Sequence, residues 1–136
     1  MKKILFPFLL VVIIFGISSL NNKAVSQSLY FCESVDKDGY PVGESTVFNI
    51  GSGGGYLKVL TRMPYEVGTS TVRYEIYKVS ASGSETYDNT IYQDVTSSWV
   101  WFWKEITFYS AGRFNIYVYD GNGAYLTSGQ IKIQMK

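Results

Sequence analysis

Histidine is absent from this chain of 136 residues. With it goes the side chain that most often serves as a general base near neutral pH, and so the usual Ser–His and Cys–His pairs and most zinc sites. Cysteine occurs once, at Cys32. No disulfide can close within the chain, and a cysteine nucleophile there would have no imidazole to activate it. Neither sign of charge dominates, since twelve basic residues stand against eleven acidic ones. That balance excludes the basic footprint of a nucleic-acid binder and the polybasic patch of a membrane-surface protein. No Asn-x-Ser or Asn-x-Thr sequon occurs, so N-glycosylation is not expected.

What is present begins with a leader. Lys2 and Lys3 precede an apolar run from Ile4 to Ile17, and a small, polar stretch then ends in Ala24-Val25-Ser26. This succession of basic, apolar and small-residue regions resembles a secretory signal. As a helix, the run would reach about 21 Å, against a hydrocarbon core of about 30 Å. Polar Ser18, Ser19, Asn21 and Asn22 follow at once. The expectation is a signal peptide over residues 1–26, cut between Ser26 and Gln27. The mature domain over 27–136 would be secreted or periplasmic, with no stable membrane span after cleavage. Cys32 lies near that cut, but Tyr30 and Phe31 before it are too large for a lipoprotein cleavage box. Losing Lys2, Lys3 and Lys23 leaves nine basic residues against eleven acidic ones, a net charge of −2.

Beyond the leader the chain reads as short β-runs with no helical stretch. The expected strands are Ser28–Ser34, Thr46–Ile50, Tyr56–Met63, Ser70–Ser80, Thr86–Asp94, Ser98–Tyr109, Arg113–Asp120 and Ala124–Met135. Asp38-Gly39, Gly51 through Gly55, Ser82-Gly83, Ala111-Gly112 and Asp120-Gly121-Asn122-Gly123 separate them. The last of these is the clearest hairpin signal. Alternation assigns the faces: Phe114, Ile116 and Val118 share one side, and so do Val72, Tyr74 and Ile76, and Ile131, Ile133 and Met135. One apolar and one polar face per strand marks antiparallel sheets covered on one side. Seven or eight such strands in one domain imply an all-β fold of two sheets packed face to face.

The segment Ser110-Ala111-Gly112-Arg113-Phe114-Asn115-Ile116 resembles the D-x-G-x-Y-x-C stretch of immunoglobulin domains, where a turn delivers a tyrosine into the penultimate core strand. The hairpin and last strand after it look like the final strand pair of immunoglobulin or fibronectin type III modules. The resemblance spans residues 110–136 and implies an immunoglobulin-like β-sandwich. Ser110, Phe114 and Ile116 stand where the pattern has Asp, Tyr and Cys, so Phe114 cannot supply the corner hydroxyl. Architecture of this kind implies no particular activity.

Three constellations suggest chemistry. Carboxylate pairs such as Asp88 with Asp94, or Glu33 with Glu75 if their strands adjoin, would suit a small secreted hydrolase. Any eleven acids give such pairs by chance. Asp36-Lys37-Asp38-Gly39 with Glu44, and Asp120-Gly121-Asn122-Gly123, are oxygen-rich tips that would suit calcium if they met at one end of the sandwich. Ordinary turn chemistry explains them without metal, and no cofactor is expected. Gly51-Ser52-Gly53-Gly54-Gly55 lacks the spacing of a phosphate loop and leads into a strand, so it reads as an inter-strand loop.

The most unusual segment is Ser98-Trp99-Val100-Trp101-Phe102-Trp103-Lys104. A period of two sets Trp99, Trp101 and Trp103 on one face and Val100 and Phe102 on the other. Either Trp101 plugs the core, or the three indoles form an outer strip about 13–14 Å long. Tyr117 and Tyr119 add aromatics facing away from Phe114 and Ile116. The candidate contact residues are therefore Trp99, Trp101, Trp103, Tyr117 and Tyr119. The expectation is an exported, non-enzymatic binding or structural module for a protein or cell-envelope component. The alternative is a carbohydrate-binding module using these aromatics for a glycan, and a hydrolase comes third.

Overall fold

The computed structural model describes residues 28–136; the expected signal peptide at 1–26 lies outside them. Ten strands follow in chain order: β1 (Ser28–Cys32), β2 (Ser34–Val35), β3 (Pro41–Val42), β4 (Val47–Ile50) and β5 (Gly55–Arg62), then β6 (Thr71–Val79), β7 (Glu85–Asp94), β8 (Trp101–Phe108), β9 (Gly112–Asp120) and β10 (Tyr125–Met135). Each expected run is found within a few residues. Two boundaries differ in kind. The first run breaks at Glu33, whose N–H turns to the Val42 carbonyl, 3.0 Å away, and so opens the unforeseen β2–β3 hairpin. The tryptophan strand starts at Trp101, not Ser98, because the Trp99 N–H closes a turn on the Thr96 carbonyl at 2.9 Å.

Two sheets carry the fold. One has the order β4-β10-β9-β6-β7 and the other β1-β5-β8. All neighbours are antiparallel except β4, which runs parallel to β10. The alternating apolar residues of both sheets meet in one core that includes Phe31, Leu57, Val59, Val72, Tyr74, Ile76, Phe102, Ile106, Phe114, Ile116, Val118, Ile131 and Ile133. Met135, expected on that inner face, is exposed where β10 runs past the core. The pairing of β9 with β10 at the centre of one sheet, and the placing of β7 beside β6, give an immunoglobulin-like sandwich. Constant-type domains of that class set a fourth strand beside the strand equivalent to β8. Among the described residues that place is empty.

Residues 33–44 fold back over the outer face of the three-stranded sheet. Arg62, on that face, donates to the carbonyl of Gly39 and stacks its guanidinium 4.1 Å from the centre of the Tyr40 ring. Leu60 and Cys32 point outward by alternation, yet both are fully buried and stand apart from the main core. Cys32 Sγ donates to the Lys58 carbonyl at 3.6 Å, and burial pushes its thiol above the ordinary value. A thiolate reagent should therefore label Cys32 only after denaturation; labelling at the same rate in the folded protein would show that this cover opens.

Gly112 takes φ +144° at the entry to β9, a conformation that disfavours any side chain, and a Cβ there would stand 3.0 Å from Lys78 Cε. Gly112→Val should therefore cost more than the roughly 1 kcal/mol of a typical substitution. An unchanged urea midpoint would contradict that. Phe114 behind it is buried 5.0 Å, centroid to centroid, from Phe108. Ring packing thus occupies the place that a corner hydroxyl holds in immunoglobulin domains, and buried Ile116 stands where their disulfide Cys would be.

Candidate functional site

β8 is an edge strand, and its register on β5 decides where its aromatics go. Phe102, Ile106 and Phe108 point into the core, so Trp101 and Trp103 point outward. The core plug in this strand is Phe102, not Trp101. Trp101 is half-buried, but from outside: the backbone of Gly39 lies so close that a Cβ there would stand 2.4 Å from the indole. Trp103 is 40% exposed, and Trp99, held in the turn before the strand, is 42% exposed. Val100, expected to share a face with Phe102, is exposed. The three indoles therefore do not form one continuous strip. They line a groove of about 790 Å³ that follows the open edge of β8 from Ser98 to Glu105, with Gln93 of β7 on its far wall.

Polar groups fix the groove's geometry. Tyr74, fully buried on β6, donates its hydroxyl to Gln93 Oε1 at 2.6 Å, and Gln93 Nε2 donates to the Trp103 carbonyl at 2.8 Å. One amide thus joins the two sheets on their open side. Burial also pushes the Tyr74 phenol far above its ordinary value, so it stays a donor at any workable pH. Lys58 Nζ sits 5.1 Å from the centre of the Trp103 ring and 3.9 Å from Glu105 Oε1, within the range of a cation–π contact. Gln93→Ala would leave the Tyr74 hydroxyl without its acceptor. Urea denaturation should show a loss of about 1–3 kcal/mol. The same substitution in a Tyr74→Phe background should cost clearly less; equal costs would refute the coupling.

Tyr117 and Tyr119 lie elsewhere, on the outer face of the five-stranded sheet. There Tyr117 packs edge-on against Tyr77 at 5.5 Å, and Tyr77 against Tyr87 at 5.8 Å. Tyr119 meets Tyr125 at 6.1 Å and carries the Arg73 guanidinium at 4.4 Å. The Tyr117 hydroxyl donates to Glu85, which also accepts from Asn115. These bonds hold the Glu85 carboxyl below its ordinary range and push the Tyr117 phenol up to about 12. Most of this face is satisfied by its own cross-strand partners, which is structural work. The tyrosines and the tryptophans belong to different sheets and do not combine into one site. Sequence reading missed Gln93 as a groove residue, because a glutamine in a strand carries no local signal of the carbonyl it will reach.

The remaining constellations come apart. Asp36 Oδ1 accepts the N–H groups of Asp38 and Tyr40, and Asp120 Oδ1 those of Asn122 and Ala124, so each carboxylate serves its own turn. Among the described residues no three Cys, Asp or Glu side chains stand close enough to hold a metal ion. Glu33 precedes β2, beside the three-stranded sheet, while Glu75 sits on β6 in the other sheet, ion-paired to Arg73 at 2.8 Å. These two do not lie on neighbouring strands. Gly51–Gly55 makes the tight turn from β4 to β5, crossing between the sheets.

No family model matches the sequence, and no curated protein matches it. Among solved structures, an immunoglobulin-like protein from Pseudomonas aeruginosa is similar over 79% of this chain and 92% of its own, at 9% identity and a TM-score of 0.49.

Proposed function

We propose that this chain is an exported, non-enzymatic binding module whose contact surface is the tryptophan groove along β8. The observation that carries the reading is the exposure of Trp103 on an edge strand without a neighbour among the described residues, and of Trp99 and Val100 in the turn that leads into it. Aromatic side chains of this kind are favoured anchors in protein interfaces, where each buries a large area at small entropic cost. Export is supported by the leader pattern of Lys2 and Lys3, the apolar run from Ile4 to Ile17 and Ala24-Val25-Ser26.

A glycan ligand is the second reading, favoured by the exposure of Trp99 and Trp103. It is weakened by the cover over Trp101, which interrupts the flat run of rings that a sugar chain would stack on. Binding to parallel glycan and peptide arrays, each repeated with Trp103→Ala, tests the groove and chooses between them. Loss of the hits with Trp103→Ala supports the groove. Hits that survive it would place recognition on another surface.

A further inference from the structure

Taking the groove as the binding surface, we propose that its occupant is an extended peptide that joins the three-stranded sheet as a fourth strand beside β8. The peptide would set an acidic side chain opposite Lys104 and apolar side chains over Trp101 and Trp103. The argument starts from the main chain. The Met63 N–H reaches the Val100 carbonyl at 2.8 Å. With the alternation of an antiparallel pair, this directs the N–H and C=O groups of Phe102, Lys104, Ile106 and Phe108 toward β5. Those of Trp101, Trp103, Glu105 and Thr107 point away from it, as the Gln93 bond to the Trp103 carbonyl shows directly. Among the described residues that carbonyl is the one outward group with a partner. A row of donors and acceptors at strand spacing matches another extended backbone, which gains affinity from main-chain bonds and specificity from alternate side chains.

The side chains then select the sequence. Residues of an added strand opposite Trp101 and Trp103 share their outer face and cover the indoles. The residue opposite Lys104 shares the inner face, where Lys104 stands between Phe102 and Ile106 without an ion-pair partner among the described residues. An inward charge on an edge strand normally discourages strand addition; here it would admit only a strand bringing a carboxylate to that place. A second copy pairing its own β8 here cannot supply it. Residues opposite one another across two strands share a face, and Glu105 lies on the other face of β8 from Lys104. The other edges suit a peptide less well. β1 and β4 are short, and β7 carries Glu85, Asp88 and Asp94.

A blocked peptide reading lysine, valine, threonine, valine, glutamate, valine, threonine, valine, lysine presents the same pattern in either direction and serves as the probe. On titration into the folded protein, amide hydrogen exchange at Trp103 and Glu105 should slow by about tenfold or more, while Phe102 and Lys104, already paired with β5, should change little. Lys104→Glu should weaken this peptide by about tenfold and favour its lysine-centred counterpart. N-methylation of alternate peptide residues should abolish binding. If the N-methylated peptide binds equally well, or Trp103 and Glu105 exchange unchanged, strand addition is overturned while groove binding stands. If neither peptide binds and Trp103-dependent glycan hits persist, the occupant is a sugar and the proposal fails. Silence on both arrays would remove the groove reading itself.

Discussion

Phe102→Ala is expected to destabilise the fold by about 3–5 kcal/mol, whereas Trp103→Ala, one residue along, should cost about 1 kcal/mol or less. The contrast follows from the faces of β8. Phe102 is 2% exposed and packs in the central core, so truncation removes a ring and leaves a cavity that the surrounding sheets cannot collapse to fill. Trp103 keeps one side in water, and its loss mainly strips a contact from Lys58. Paired urea denaturation curves would measure both. A larger loss at Trp103 than at Phe102 would reverse the face assignment, and with it the groove.

Gly39→Val is the second large effect. Gly39 holds φ +84° in the turn between β2 and β3, and a Cβ there would overlap the Trp101 indole at 2.4 Å. Backbone strain of this kind alone costs about 1–3 kcal/mol, and the overlap adds to it. The fold's least disruptive response is to lift the turn off the sheet, which frees the guanidinium of Arg62 and wets Trp101. Intrinsic fluorescence should shift to the red and become easier to quench with acrylamide, while the main unfolding transition persists. A blue, protected spectrum identical to that of the parent would contradict the packing of Gly39 on Trp101.

Much of the fold was legible in the sequence because strands and hairpins leave local marks. Asp120-Gly121-Asn122-Gly123 closes as expected, with the Asp120 N–H bonded to the Ala124 carbonyl at 2.9 Å and Gly123 at φ +86°. Alternation in β6 and β9 placed Tyr74, Ile116 and Val118 in the core, since a period of two has one meaning when a single face is buried. It failed where both faces of a strand are covered. Alternation sets Leu60 and Cys32 on the outer face that residues 33–44 fold over, yet both are fully buried. That cover comes from a hairpin of two-residue strands, too short to show any periodicity.

The candidate site was half legible for a related reason. Period two correctly set Trp101 and Trp103 together and opposite Phe102. It overreached at Trp99, where a turn, not a strand, holds the backbone. Nothing local distinguishes an edge strand from a central one, so the open side of β8 depends on β7 pairing with β6 instead. That choice is made by residues far away along the chain.

The parallel pairing of β4 with β10 has a kinetic consequence. Asn49 and Gln134, near opposite ends of the described chain, are register partners. Residues 28–50 thus give β1 to one sheet and β4 to the other, and β4 finds its place only beside β10, about 80 residues further along. Contacts so distant along the chain demand loop closure before they return any stabilisation, and such topologies fold slowly. A chain lacking β10 would present β9 with one flank bare and a core open to water. Completion of this fold is therefore timed by the docking of β10, the strand on which both β4 and β9 depend.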